Sequence, residues 1–183
     1  MSARTADRAY GCISVVPYND EWPRRFQVER AVLERVLSPW LTGGIHHVGA
    51  TSVPGLAAKP IIDMIAGVRD LDEARAAFEP LRENGYLYSP HRPRIAHHFS
   101  KPSLRLSETT HGLHLTEPGS DLWRERLAFR DALRRDPALV AEYAALKRRL
   151  AEEHGEDVAA YTAGKRAFVA RVLATAGLIP GRR

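Results

Sequence analysis

His47-Val48-Gly49-Ala50-Thr51-Ser52-Val53-Pro54-Gly55-Leu56-Ala57-Ala58-Lys59-Pro60-Ile61-Ile62-Asp63 is the stretch on which the reading of this chain turns. Ile45 to Val48 reads as a strand, and Gly49 to Gly55 as a loop of small and turn-forming residues. Pro60 to Val68 (PIIDMIAGV) is an apolar run of strand length, which predicts a buried central strand. Two strands joined through a glycine-rich loop therefore carry a lone acid, Asp63, near the start of the second.

That pattern points to phosphate chemistry. Glycine lets a backbone approach a phosphate closely, and successive loop N–H groups form an anion nest. Thr51 and Ser52 add hydroxyl donors and Lys59 a cation. A carboxylate within an apolar strand needs a metal, a cation or several donors. Phosphate donors beside a carboxylate suit magnesium-dependent phosphoryl or nucleotidyl chemistry. The plainer alternative is a tight turn with an aspartate that accepts backbone donors.

Outward from this hairpin the chain reads as one domain. Upstream, Asp20 is placed to cap a helix whose apolar stripe is Trp22, Phe26, Leu33, Val36 and Leu37, stopped by Pro39 and Gly43-Gly44. Downstream, residues 71–84 read as a helix with Leu71, Ala74, Phe78 and Leu81 inward, ended by Asn84-Gly85. Tyr86 to Tyr88, Ile95 to Phe99 and Leu104 to Leu106 are short strand candidates, and His111 to Glu117 is a stronger one. Three helices follow, at about 120–135, 137–154 and 157–176, the second opened by Asp136-Pro137 in the favoured cap order. The expected fold is α+β: a mostly antiparallel or mixed sheet flanked by helices, with a C-terminal bundle of three helices. The domain is expected over residues 15–176, between a flexible segment at 1–14 and a tail at 177–183.

Composition narrows the class. The 183 residues carry 27 Lys+Arg against 22 Asp+Glu, a net charge of +5 that mildly favours anionic partners. One cysteine, Cys12, leaves no internal disulfide and no cysteine-based zinc cluster. Neither a signal peptide nor an apolar run of membrane-spanning length is found, so the expected compartment is the cytoplasm, with no membrane partner.

The same residues closely resemble the signature of the GrpB family. The likeness extends through Val16-Pro17-Tyr18 with Trp22-Pro23, Phe99 with Lys101, His111 to His114, Leu127 to Asp131, Tyr143 to Lys147, and Tyr161 with Lys165. The family looks like a branch of the nucleotidyltransferase superfamily, which implies a nucleotidyltransferase-like sheet. A similar domain is fused to dephospho-CoA kinase in some bacteria, which implies a nucleotide or CoA-like ligand. The superfamily pattern is a hydrophobic residue, glycine, then glycine or serine, followed further on by an acid, a hydrophobic residue and a second acid. Here it is met by Val48, Gly49, Ala50, then Asp63, Met64, Ile65, so a hydroxyl and the second carboxylate are both replaced.

The resemblance also brings in residues far from the hairpin. His114 falls where the superfamily has a third acid, and a histidine can ligate a metal or act as a base; a strand histidine satisfied by hydrogen bonds is the alternative. The family usually has histidine where this chain has Gly112. Arg130 and Lys165 lie within the apolar arcs of their helices, where a cation either pairs with a carboxylate or reaches past the packing toward a phosphate. His47 and Lys101 match family positions. His46-His47 and His97-His98 are adjacent pairs whose members point opposite ways. Arg134-Arg135 and Lys147-Arg148-Arg149 read as solvated faces.

The resulting expectation is a nucleotidyltransferase-type enzyme with Asp63 and His114 catalytic and holding one divalent metal, magnesium first, with manganese or zinc as alternatives. Ligand phosphates would be bound by His47, Gly49, Thr51, Ser52, Lys59, Lys101, Arg130 and Lys165. The alternative, favoured by Ala50 and Ile65, is a domain that binds a nucleotide or CoA without turnover, as a sensor or accessory. Nucleic-acid binding ranks last, because no recognition helix or aromatic-and-basic strand motif is present.

Overall fold

Alternation sorts the second strand of the hairpin, β2 (Ile62–Val68), into two faces. Ile62, Met64, Ala66 and Val68 enter one hydrophobic core and have no exposed surface, while Asp63 and Ile65 look the other way. In the computed structural model of the chain, which describes residues 13–178, β2 is an inner strand of a five-stranded sheet. Its neighbours are β1 (Leu41–Val48), β3 (Leu87–Ser89), β4 (His97–Lys101) and β5 (His111–Thr116), in the order β1-β2-β5-β4-β3. β2 runs parallel to β5 and antiparallel to β1; β5 with β4, and β4 with β3, are antiparallel. The sheet is mixed, as the sequence predicts.

One face of the sheet packs on α1 (Glu21–Val36) and the short α2 (Phe78–Glu83). Trp22, Phe26, Leu33 and Leu81 meet Phe99, Leu113 and Leu115 there. The other face lies toward α3 (Asp121–Arg135), where Trp123 of α3 meets His46 of β1 edge to face. Beyond α3 come α4 (Pro137–His154), α5 (Val158–Gly164) and α6 (Arg166–Thr175). Leu133, Tyr143, Phe168 and Val172 from these helices form a second core with Val53 and Leu56 of the loop after β1. That core holds the loop against the C-terminal helices, which is what creates the site.

Several expectations are corrected. Asp20 makes no side-chain cap; the Oδ1 of Asn19 accepts the N–H of Glu21 at 2.9 Å instead. Gly43 and Gly44 do not stop the helix, which ends at Val36, but lie within β1, beside an irregularity in its pairing with β2. A Cβ on Gly43 would stand 2.7 Å from the Pro118 ring, so glycine here admits a close approach. Residues 71–84 begin as a 3-10 turn, Glu73–Ala77, before α2. Leu104 to Leu106 form no strand. The expected third C-terminal helix is two, broken at Gly164-Lys165, so four helices follow β5 among the described residues; glycine is a poor interior helix residue. Cys12, the expected flexible segment up to residue 12 and residues 179–183 lie outside the described residues.

Candidate functional site

The register of the sheet sets out the site floor. Asp63 pairs with Val48 on β1 and with Gly112 on β5, and Gly112 pairs with Ser100 on β4. Asp63, Gly112, Ser100 and, two residues along, His114 and His98 therefore share the face turned toward the C-terminal helices. Asp63 sits in a notch between two glycines. A Cβ on Gly49 would stand 2.8 Å from its Oδ2, and one on Gly112 2.7 Å from its Oδ1. Gly49 also has φ +71°, a left-handed conformation that favours glycine.

Above this floor is a cavity of about 370 Å³, within the range of small-molecule sites. Among the described residues Asp63 is the one acid on its wall, facing Lys59, Arg126, Lys147 and Lys165. Each cation comes from a different element: the segment before β2, α3, α4 and the break between α5 and α6. The Nζ atoms of Lys59 and Lys165 lie 5.5 and 4.4 Å from the centre of the same ring, Tyr161. Lys147 Nζ lies 4.9 Å from the Tyr143 ring and donates to the Ala57 carbonyl. Among the described residues Lys59, Arg126 and Lys165 form no ion pair.

Burial dominates the electrostatics. It pushes Lys147 down to about 7, helped by Lys165, Lys59 and Arg148. It pushes Lys165 down to about 8, with Lys59 and Arg126 adding to the effect and Asp63 opposing it. Lys59 is also lowered by burial against the pull of Asp63. The Asp63 carboxyl is raised by burial, although Lys59, Arg126 and Lys165 favour its charged form. His98, on the cavity wall, is lowered by burial, His91 and Arg126, so its imidazole is held neutral.

The expected site residues divide between the two faces of the sheet. Asp63, Gly49, Thr51, Lys59 and Lys165 come together on the cavity wall. The two loop hydroxyls are committed to protein carbonyls: Thr51 Oγ1 donates to Ile61 O at 2.9 Å, and Ser52 Oγ to Gly49 O at 2.6 Å. With its proton so used, Thr51 accepts from His47 Nε2 at 3.0 Å. His47 lies on the α1 side, stacked on Phe26 at 4.8 Å, and is pushed down to about 4 by burial, Arg134 and Arg130. Lys101 also points toward α1, where its Nζ donates to Glu29 Oε1 at 2.8 Å. Arg130 donates to the His47 carbonyl at 3.1 Å and to Asp131 at 2.7 Å, bracing the end of β1. His114 shares the Asp63 face but is off the cavity wall, stacked at 4.6 Å behind His98 and lowered mainly by burial.

Three wall residues escaped the sequence reading. Lys147, read as part of a solvated face, is buried; Tyr143, Ala144, Lys147 and Leu150 are the buried residues of α4 and trace one helical stripe, a signal present in the sequence. Arg126 and His98 carry no local signal, because only the tertiary arrangement brings α3 and β4 to the hairpin. Arg134, also read as merely solvated, donates to the Ser52 carbonyl at 2.9 Å while remaining exposed.

A resident divalent cation fits this wall poorly. Asp63 is flanked by Lys59, Arg126 and Lys165, and Ile65, fully buried, stands where a second carboxylate would be needed. Among the described residues no three His, Cys, Asp or Glu side chains converge on a metal-sized point. No helix among them is long and apolar enough to cross a membrane.

The chain is similar to known proteins in sequence and in fold. The glutamate-rich protein GrpB of Alkalihalophilus pseudofirmus is 36% identical over 167 residues, covering 89% of this chain and 95% of that one. The UPF0157 protein YqkA of Bacillus subtilis is 35% identical over 84% of this chain, which spans only 44% of YqkA. A relative named dephospho-CoA kinase, from Mycolicibacterium paratuberculosis, is 29% identical over 90% of this chain and 46% of its own length. Among solved structures, the conserved protein GrpB from Enterococcus faecalis superposes with a TM-score of 0.81 at 29% identity, covering 89% of this chain and 96% of that one. A chain of the GLD-2/RNP-8 complex shares the fold at a TM-score of 0.55 and 14% identity, over 81% of this chain and 51% of its own. That likeness is one of fold alone. Residues 12–175 match the family described as GrpB protein, and with that match and these relatives the chain belongs to the GrpB family.

Proposed function

We propose that the chain binds the phosphate groups of a nucleotide, or of a nucleotide-containing ligand of the CoA type, in the cavity above Asp63. One observation carries the reading: Lys59, Arg126 and Lys165 line the wall from three separate elements, with no ion-pair partner among the described residues. Lys59 and Lys165 are half-buried, with Arg126 exposed at the rim; half-buried cations without a carboxylate partner are costly, and an anionic ligand offsets that cost. The ligand class is supported by the relative named dephospho-CoA kinase, whose length this chain covers in part.

Transfer of a nucleotidyl or phosphoryl group is the second reading. It is favoured by His98, a neutral imidazole on the same wall as Asp63. Loss of the second carboxylate at Ile65 favours binding without turnover.

The test is a thermal-shift screen of the full chain with ATP, CTP, CoA and dephospho-CoA. A ligand at one hundred times its Kd adds about 2.7 kcal/mol. For a domain of this size that raises Tm by roughly 5–10 °C. No shift with any of them would end the reading; a shift without product would select the sensor over the enzyme.

A further inference from the structure

Among the described residues the cavity wall sets four formal positive charges against one negative. Lys59 and Lys165 approach the same Tyr161 ring, so two ammonium groups share one aromatic neighbour. Lys147 stands close enough for both to suppress its charge. Like charges at such range repel unless an anion compensates them. A divalent cation on Asp63 would add two more positive charges where Lys59, Arg126 and Lys165 already stand. Magnesium takes a near-octahedral set of oxygens and is usually held by one or two carboxylates together with substrate phosphates. Among the described residues this wall offers a single carboxylate, and Ile65 closes the second position.

We infer that the cavity holds a chain of two or more phosphates without a divalent cation, its charge neutralised by Lys59, Arg126, Lys147 and Lys165. The inference rests on the phosphate reading above and narrows it to a ligand class and an ionic form. A monophosphate carries about −1.5 to −2 charges at neutral pH, too few to balance this wall. The volume of about 370 Å³ also exceeds what a single tetrahedral anion fills. The polyanion lies between the Gly49 loop and Tyr161, where Lys59 and Lys165 both reach it. Arg126 closes it in from α3, and Asp63 sets the far limit by repelling the phosphate oxygens.

The experiment is calorimetric titration of the full chain with sodium pyrophosphate, in excess EDTA and in excess magnesium, with orthophosphate in parallel. Pyrophosphate is expected to bind in EDTA at least about tenfold tighter than orthophosphate, and magnesium to weaken it by competing for the free anion. Arg126 is exposed, so Arg126→Gln keeps the fold and is expected to weaken binding about tenfold. Lys165→Gln is expected to act in the same direction. Binding that needs magnesium would overturn the inference and leave the phosphate reading standing. Equal affinity for orthophosphate and pyrophosphate, or no effect of either variant, would also overturn it. If neither pyrophosphate, ATP nor CoA binds in either medium, the phosphate reading itself fails.

Discussion

Gly112 and Asp63 face each other across the parallel β2–β5 pair so closely that a Cβ on the glycine would stand 2.7 Å from the aspartate Oδ1. The carboxylate has its position because its neighbour has no side chain. Gly112→Ala is therefore expected to displace Asp63 into the cavity, with a stability loss of about 1–3 kcal/mol from overpacking. The loss is read as a shift of the chemical-denaturation midpoint. Phosphate affinity should fall with it. Unchanged stability and affinity would show that the notch is loose.

Neutralising Asp63 separates the two views of the cavity. If Asp63 only limits where the phosphates lie, Asp63→Asn tightens pyrophosphate binding in EDTA by a few-fold, an effect of roughly 1 kcal/mol or less. If it holds a cation that the ligand needs, binding appears only in magnesium and the same variant weakens it there. Calorimetry reads the sign directly.

Lys147 makes stability and ligand affinity respond to pH in opposite directions. It titrates at about 7 in the folded chain, against an ordinary value of 10.5. Between those values the unfolded chain binds more protons, so the contribution of this group to stability rises with pH. The gain is absent below about 7 and complete only above the ordinary lysine value. The unfolding free energy of the unmodified chain, measured against Lys147→Met, should therefore improve from about pH 6.5 to about pH 9. Anion affinity should decline over the same interval, as the ammonium groups at Lys147 and Lys165 are lost. A stability difference independent of pH would contradict the assignment.

On the opposite face of the sheet, Lys101 and Glu29 make a structural pair rather than part of the cavity. Glu29 is buried, accepts from Lys101 Nζ and from Tyr86 Oη at 2.8 Å each, and lies 4.0 Å from His111 Nε2. Lys101→Ala leaves that carboxylate without its cation and should cost about 1–3 kcal/mol of stability in denaturation. Pyrophosphate affinity should not change. A selective loss of affinity would place Lys101 in the site after all.

The hairpin was legible because both of its signals are local. An apolar run interrupted by one acid marks β2, and small residues with positive-φ glycines mark the loop. Alternation within β5 also put Gly112 and His114 on one face, but only the β2–β5 register shows that Asp63 shares it. The same rule separates His47 and Lys101 from them: His47 shares a face with Ile45, and Lys101 with Phe99, both core residues. Resemblance to a family pointed to all of these positions without saying which side of the sheet each one serves. Arg126 and His98 were out of reach for a different reason. Their place on the wall depends on how α3 and β4 pack, and no spacing along the chain encodes that distance. Lys147 lay between these cases, visible in the helical stripe of α4 but masked by the two exposed arginines that follow it.

Phosphates are proposed to bind between the Gly49 loop and the C-terminal helices. A crystal structure of the chain grown with ADP tests it most directly. Phosphate density within hydrogen-bond reach of Lys59 and Lys165 is the predicted result. Well-ordered ADP bound elsewhere, with these lysines facing an empty cavity, would contradict it.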